Sequence, residues 1–129
     1  MESVFEMRRT ELEQELLARR NGGPECSLNA LAAEIVEINR ANGWNVTQVG
    51  DWEKEYKVPA LIALIHSEAS EALEAFRTND PANFREEMAD VLIRVLDCLG
   101  GLQIDIASEV RTKLEKNKTR GFRHGGKRC

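Results

Sequence analysis

Residues 59–101 read PALIALIHSEASEALEAFRTNDPANFREEMADVLIRVLDCLGG, and this stretch indicates a pair of helices. Apolar side chains recur every three or four residues on both sides of a turn sequence, Thr78-Asn79-Asp80-Pro81. Pro59 suits the first turn of the first helix, Asp80 is a favourable N-cap for the second, and Gly100-Gly101 ends it. Because the turn is short, we expect the two helices to be antiparallel neighbours. Their predicted buried faces carry Leu61, Ile65, Ala69, Ala72 and Phe76, then Phe84, Met88, Val91, Val95 and Leu99.

Further helices are predicted on either side of this pair. Ser27 can cap a helix that precedes it, and another helix follows from about residue 104 to residue 118. No segment alternates with the period of two that is expected of a strand. The sequence therefore predicts an all-α fold with an N-terminal helical extension (1–26), a four-helix domain (27–120) and a flexible, basic, glycine-rich tail (121–129). The apolar faces of the two outer core helices carry Leu28, Leu31, Ile35 and Ile38, then Ile106, Val110 and Leu114.

The composition and charge of the chain exclude several classes of protein. A chain of 129 residues can form one domain with a buried core, and 3 cysteines without metal-ligand spacing favour a reduced, cytoplasmic protein. No apolar run reaches the roughly 18 residues of a membrane span, and the acidic start does not resemble a signal peptide. The net charge of −4 is unevenly divided, because residues 111–129 hold eight Lys and Arg against Glu115, a net +7, which leaves −11 for the first 110 residues. This division favours metal cations at the acidic body and an anionic partner near the tail, with a merely solvated charged surface as the alternative.

Four carboxylates occupy positions on or beside the predicted apolar faces. On the first helix of the pair, a helical wheel places Glu68 within the apolar face and Glu71 at its edge. On the second helix, Glu87 and Asp90 flank the apolar face. Both pairs are spaced i, i+3, so antiparallel helices can bring the four carboxylates together, and Mg²⁺ or Mn²⁺ would relieve their repulsion. The alternative is that arginines such as Arg94 neutralise them as ion pairs.

The last predicted helix carries the complementary charge. Lys113, Asn117 and Arg120 continue its apolar face towards the C-terminal end. Such a row suits the binding of anionic oxygens such as those of phosphates, although cations at a helix C-terminus also stabilise the helix dipole. Together with the carboxylates, the row suggests a site for a polyphosphate bound with Mg²⁺.

These motifs resemble those of the MazG-like all-α nucleoside triphosphate pyrophosphohydrolases. Ser67-Glu68-Ala69-Ser70-Glu71, followed by residues 87–92 (EMADVL), resembles the ExxE…ExxD signature of that family. Residues 113–120 (KLEKNKTR) resemble the KxxxNxxR pattern of its last core helix. The resemblance covers about residues 28–128. Many members begin the first motif with two glutamates where this chain has Ser67, which leaves the number of bound metals open.

The resemblance implies an enzyme that hydrolyses a (deoxy)nucleoside triphosphate to the monophosphate and pyrophosphate, in nucleotide-pool housecleaning. It implies a homodimer or homotetramer with active sites at the helical interface, and it leaves the base and sugar preference open. Trp44 and Trp52 are candidates for base binding, with core or interface packing as an equal alternative. Glu71 would be the general base that orients the water. The implied metal ligands, with Mg²⁺ as cofactor and Mn²⁺ as a substitute, are Glu68, Glu71, Glu87 and Asp90, and the implied phosphate ligands are Lys113, Asn117 and Arg120.

Two other functions are compatible with the sequence. One is a non-catalytic helical interaction protein that binds a metal or a nucleotide. The other is nucleic-acid binding through the basic tail, which the −11 charge of the preceding residues disfavours. The glycine-rich tail could also fold over bound nucleotide as a lid. In that case deletion of residues 121–129 should weaken nucleotide binding without unfolding the protein.

Overall fold

The computed structural model describes residues 27–121, and within them it is all-α, as predicted. The four helices are α1 (Ser27–Ala41), α2 (Lys57–Arg77), α3 (Pro81–Gly101) and α4 (Ile106–Thr119). A short 3-10 helix, Asp51–Glu53, lies in the connector between α1 and α2. The predicted N-terminal extension and residues 122–129 of the predicted tail lie outside the described residues.

The α2–α3 hairpin forms where the turn sequence predicted it. The Asp80 carboxylate accepts a hydrogen bond from the backbone N–H of Asn83 at 3.1 Å, and Pro81 occupies the first turn of α3. Asn79 adopts the left-handed conformation, with φ of 57°, which lets the chain reverse within three residues. The helix α2 begins at Lys57, so Pro59 lies in its first turn.

The last helix begins two residues later than predicted, at Ile106, because Asp105 caps it. The Asp105 carboxylate accepts a hydrogen bond from the backbone N–H of Ser108 at 3.1 Å. It also accepts one from the side chain of Asn29 on α1 at 2.9 Å, and Asn29 in turn accepts from the N–H of Ala107 at 3.1 Å. This network fixes the start of α4 against α1.

A small apolar core joins α1, α3 and the first turn of α4. It is built from Ala32 and Ile35 of α1, Leu96 of α3 and Ile106 of α4, with Leu28 and Leu99 packed against it. The connector is held against this core by Thr47, whose hydroxyl donates to the carbonyl of Cys98 at 2.7 Å. Residues 42–56 therefore follow a fixed course beside α3 and lead into α2.

Several side chains that the sequence predicted to be buried are exposed. On α2, Ala72 is buried and Leu61 and Ile65 are partly buried, but Phe76 is 75% exposed and Ala69 is also exposed. The prediction was wrong for these positions because α1 packs on α3 and not on α2, so the side of α2 that carries Phe76 and Ala69 stays in solvent. The remaining exposed members of the predicted faces are Leu31, Ile38, Phe84, Met88, Val110 and Leu114.

None of the helices within residues 27–121 is both long enough and apolar enough to cross a membrane.

Candidate functional site

Three of the predicted carboxylates converge between α2 and α3. Glu68 and Glu71 project from successive turns of α2, and Glu87 faces them from α3. Each contributes one oxygen atom, and these three oxygens all lie within 4.8 Å of one another. The i, i+3 spacing on α2 and the antiparallel hairpin together produce this arrangement.

The cluster is electrostatically strained. Partial burial, a hydrogen bond with Glu71 and the negative charges of Glu71, Glu68 and Asp90 together raise the pKa of Glu87 to about 7 from its ordinary value of 4.5. Asp90 is not one of the three that converge within 4.8 Å, but it lies near enough to act on Glu87. A proton or a cation would relieve this repulsion.

An arginine neutralises one member of the cluster. The Nε and Nη2 atoms of Arg94, on α3, each lie 3.1 Å from the same Oε1 atom of Glu68. The sequence left open the alternative that arginines neutralise the carboxylates, and for Glu68 on α2 such an ion pair is present, with Arg94 on α3. Among the described residues, no ion pair involves Glu71, Glu87 or Asp90.

A cavity of about 560 Å³ adjoins the carboxylates. Glu68, Asp90 and Arg94 belong to its wall, and Leu61, Leu64 and Ile93 supply an apolar part. Its size lies in the range of small-molecule sites. An apolar surface beside carboxylates can accommodate a ligand that has both an apolar body and an anionic or metal-bound end.

The two tryptophans proposed for base binding occupy different places. Trp44 lines this cavity and is 63% exposed. Trp52 is in the 3-10 helix, is 74% exposed and is not part of the cavity wall.

The predicted phosphate ligands are not brought to the carboxylates within one chain. Lys113, Asn117 and Arg120 are all exposed, and none of them lines the cavity. The helix α4 is anchored by its first turn, where Ile106 is buried, and all its residues beyond Val110 are solvent-exposed.

Sequence reasoning missed a polar group in the same cavity. The side-chain amide of Asn39 donates to Oδ1 of Asp97 at 3.0 Å, and both residues line the cavity. The Lys57 ammonium, also on the wall, donates to the side-chain carbonyl of Asn45. One signal could have revealed Asp97, since it follows Asp90 by seven residues and so lies on the same face of α3.

Comparison with known proteins gives one match. The family model for the MazG nucleotide pyrophosphohydrolase domain matches residues 57–122, which include α2, α3 and α4. No curated protein and no solved structure matches the chain.

Proposed function

This chain belongs to the MazG nucleotide pyrophosphohydrolase family, and from that premise we propose that it hydrolyses a nucleoside triphosphate to a monophosphate and pyrophosphate. The observation that carries the proposal is the convergence of Glu68, Glu71 and Glu87 within 4.8 Å beside a cavity of nucleotide size. The expected role is the removal of unwanted nucleotides from the cellular pool.

The carboxylates fit a divalent metal ion. They are hard oxygen donors, and the raised pKa of Glu87 marks a surplus of negative charge that a cation would remove. Glu68, Glu71, Glu87 and Asp90 are the proposed ligands, with Mg²⁺ the preferred ion and Mn²⁺ a substitute. When bound, the ion would neutralise phosphate charge and acidify a water molecule.

Glu71 is the proposed general base. Its side chain is exposed, so water reaches it, whereas Glu68 and Glu87 are partly buried. Its carboxylate can accept a proton from a water molecule that attacks a phosphorus atom of the substrate, and a hydrogen bond with Glu87 helps to orient it. The bond that breaks is a P–O bond of the oxygen bridge between the α and β phosphorus atoms, and pyrophosphate and the monophosphate are the two products.

Within the described chain, the predicted phosphate ligands on α4 do not line the cavity, although Lys57 and Arg94 do. We propose that Lys113, Asn117 and Arg120 serve a site assembled in a homodimer or homotetramer. The exposed apolar side chains of α2 and α3, such as Leu73 and Phe76, support an assembly that covers them.

A product assay tests the proposed reaction. The purified chain is incubated with ribo- and deoxynucleoside triphosphates in MgCl₂ or in EDTA, and pyrophosphate and orthophosphate are measured separately. Pyrophosphate and monophosphate that form only with Mg²⁺ are the expected products. Orthophosphate alone would contradict cleavage between the α and β phosphorus atoms.

The Glu68–Arg94 ion pair favours a second candidate, a non-catalytic protein that binds a metal or nucleotide. In that case the pair serves only to join α2 to α3. Absence of any product across the whole panel, with retained binding of Mg²⁺ or of nucleotide, would support this candidate over the enzyme.

A further inference from the structure

Arg94 is the cation of the cavity wall that touches the carboxylate cluster. Its Nε and Nη2 atoms each lie 3.1 Å from Oε1 of Glu68, and both residues line the cavity. Among the described residues of that wall, Lys57 is the other cation, but it precedes Glu68 by eleven residues, roughly 16 Å along the axis of α2. Arg94 is therefore the cation better placed for an anion held beside the carboxylates.

The guanidinium of Arg94 has donors to spare. An arginine side chain carries five N–H bonds in a planar fork. In the described part of the chain, its contacts are confined to one oxygen of Glu68, and its Nη1 atom has no hydrogen-bond or ion-pair partner there. The Arg94 side chain is 31% exposed, so an anion in the cavity can reach it. Such a fork matches the oxygens of a phosphate group.

The pairing of Arg94 must change when Glu68 serves a metal ion. Glu68 is one of the three converging carboxylates and one of the proposed metal ligands. A carboxylate that binds a divalent cation is a weaker partner for a guanidinium, because the cation both takes its charge and repels the arginine. Arg94 then lines the cavity without an anionic partner, and a phosphate group carries the negative charge that replaces the lost one.

We infer that Arg94 changes partners when the substrate binds: it pairs with Glu68 in the metal-free protein and binds a phosphate group of the substrate once Glu68 has turned to Mg²⁺. The inference rests on the proposed function, because it adds a phosphate ligand to that same site. It also supplies a cation from within one chain, whereas the proposed ligands on α4 do not line the cavity.

Calorimetry with Arg94→Met tests the change of partners through two affinities, that for Mg²⁺ alone and that for inorganic tripolyphosphate at saturating Mg²⁺. Tripolyphosphate has no base, so its binding does not depend on the base preference. We expect Arg94→Met to bind Mg²⁺ more tightly, because Glu68 is free, and to bind tripolyphosphate about tenfold to a hundredfold more weakly, because charge-assisted hydrogen bonds are lost. The matched control is Arg77→Met, which removes an exposed ion pair with Glu74 and should change neither affinity by much.

The two affinities distinguish this role of Arg94 from others. Unchanged or tighter tripolyphosphate binding in Arg94→Met would overturn the inference and leave the arginine as a competitor of the metal alone. Weaker binding of both Mg²⁺ and tripolyphosphate would overturn it in favour of an arginine that only positions Glu68. Absence of tripolyphosphate binding in the wild type would also overturn it. None of these results depends on product formation, so failure of the proposed hydrolysis is detected separately by the product assay.

A spectroscopic measurement on the wild type covers the case in which Arg94→Met does not fold. The Nε–H resonance of Arg94 in an isotope-labelled chain is identified by its absence from Arg94→Lys, a variant that keeps a positive charge beside Glu68. This resonance should shift when MgCl₂ is added and shift again when tripolyphosphate follows. A resonance that does not respond to tripolyphosphate would overturn the inference, because a purely structural ion pair would not sense the anion.

Discussion

A divalent cation and Arg94 would compete for the same oxygen of Glu68. Two of the three guanidinium nitrogens, Nε and Nη2, lie 3.1 Å from that Oε1 atom, in a pair that is largely shielded from solvent. Removal of the guanidinium frees Glu68 for a metal but leaves its charge unpaired in the metal-free protein.

Arg94→Met is therefore expected to raise the affinity for Mg²⁺ and to lower the stability of the metal-free protein by about 1–3 kcal/mol, between the values typical of exposed and buried pairs. Calorimetry with MgCl₂ and urea unfolding in EDTA measure the two effects. Arg77→Met is the matched control, because Arg77 lies 3.7 Å from Glu74 in an exposed pair, and it should change neither quantity by much. Weaker Mg²⁺ binding in Arg94→Met would mean that the arginine orients Glu68 for the metal and does not compete with it.

Asp105 gives the fold a contribution that depends on pH. Hydrogen bonds from the Asn29 side chain and from the Ser108 N–H hold the pKa of Asp105 below its ordinary value of 3.8. Because the carboxyl is more acidic in the folded protein than in the unfolded chain, its contribution is present above about pH 3.8 and is lost as the pH falls through the lower folded value.

Asp105→Ala should therefore be less stable than the wild type at pH 7, and the difference should shrink in acid. Urea unfolding midpoints at pH 7 and at pH values below 3.8 measure it. A difference that stays constant over this range would show that the cap acts independently of its charge.

At the scale of elements, the end of α3 depends on two glycines with unequal surroundings. A Cβ at Gly101 would lie 2.8 Å from the carbonyl carbon of Thr47 and closer still to both oxygens of that residue. At Gly100 the nearest atoms would be side-chain carbons, Val36 Cγ2 at 3.1 Å and Ala32 Cβ at 3.2 Å. Thr47 has little room to move, because its hydroxyl is bonded to the carbonyl of Cys98.

Gly101→Ala should lower the free energy of unfolding by about 1–3 kcal/mol or more, because the connector must move. Gly100→Ala should cost less, since its closest approaches, 3.1 Å to Val36 Cγ2, 3.2 Å to Ala32 Cβ and 3.3 Å to the Ala32 carbonyl oxygen, are longer than those at Gly101, and a helix-propensity gain of up to about 1 kcal/mol offsets part of the cost. Chemical denaturation of the two variants measures both. Equal stabilities would mean that the connector is not packed on α3 as described.

The hairpin could be predicted from the sequence, and the connector could not. Asp80, Pro81 and the glycine pair are residues whose local preferences end or begin a helix. The helix ends that they predicted for the hairpin agree with the observed bounds of α2 and α3. The course of residues 42–56 depends instead on the long-range bond from Thr47 to Cys98 and on the buried Asp51, which no periodicity reveals. The convergence of three acids followed from their spacing, whereas the Asp97–Asn39 pair needed the packing of α1 on α3 to become visible.

At the scale of the whole molecule, apolar surface remains uncovered in a single chain. Leu73 is 61% exposed and Phe76 is 75% exposed, one turn apart on α2. The periodicity of α2 identified Phe76 as part of an apolar face, but no described part of the chain buries it. A second copy is the proposed cover.

Phe76→Glu should therefore shift the protein towards the mass of a single chain, measured by light scattering after size exclusion. Val49→Glu is the control, because Val49 is 66% exposed but lies in the connector and not on α2. A monomeric wild type, or an unchanged mass in Phe76→Glu, would contradict an interface at this position.

The central claim is that the carboxylates between α2 and α3 carry out hydrolysis, and one comparison tests it most directly. The rate of Mg²⁺-dependent pyrophosphate release is measured for the wild type, for Glu71→Gln and for Glu74→Gln. Glu74 is the matched control, since it is an exposed glutamate on the same helix that belongs to neither the carboxylate cluster nor the cavity wall. We predict a loss of about a hundredfold or more in Glu71→Gln, with its fold intact, and wild-type turnover in Glu74→Gln. Wild-type turnover in both variants would contradict the claim.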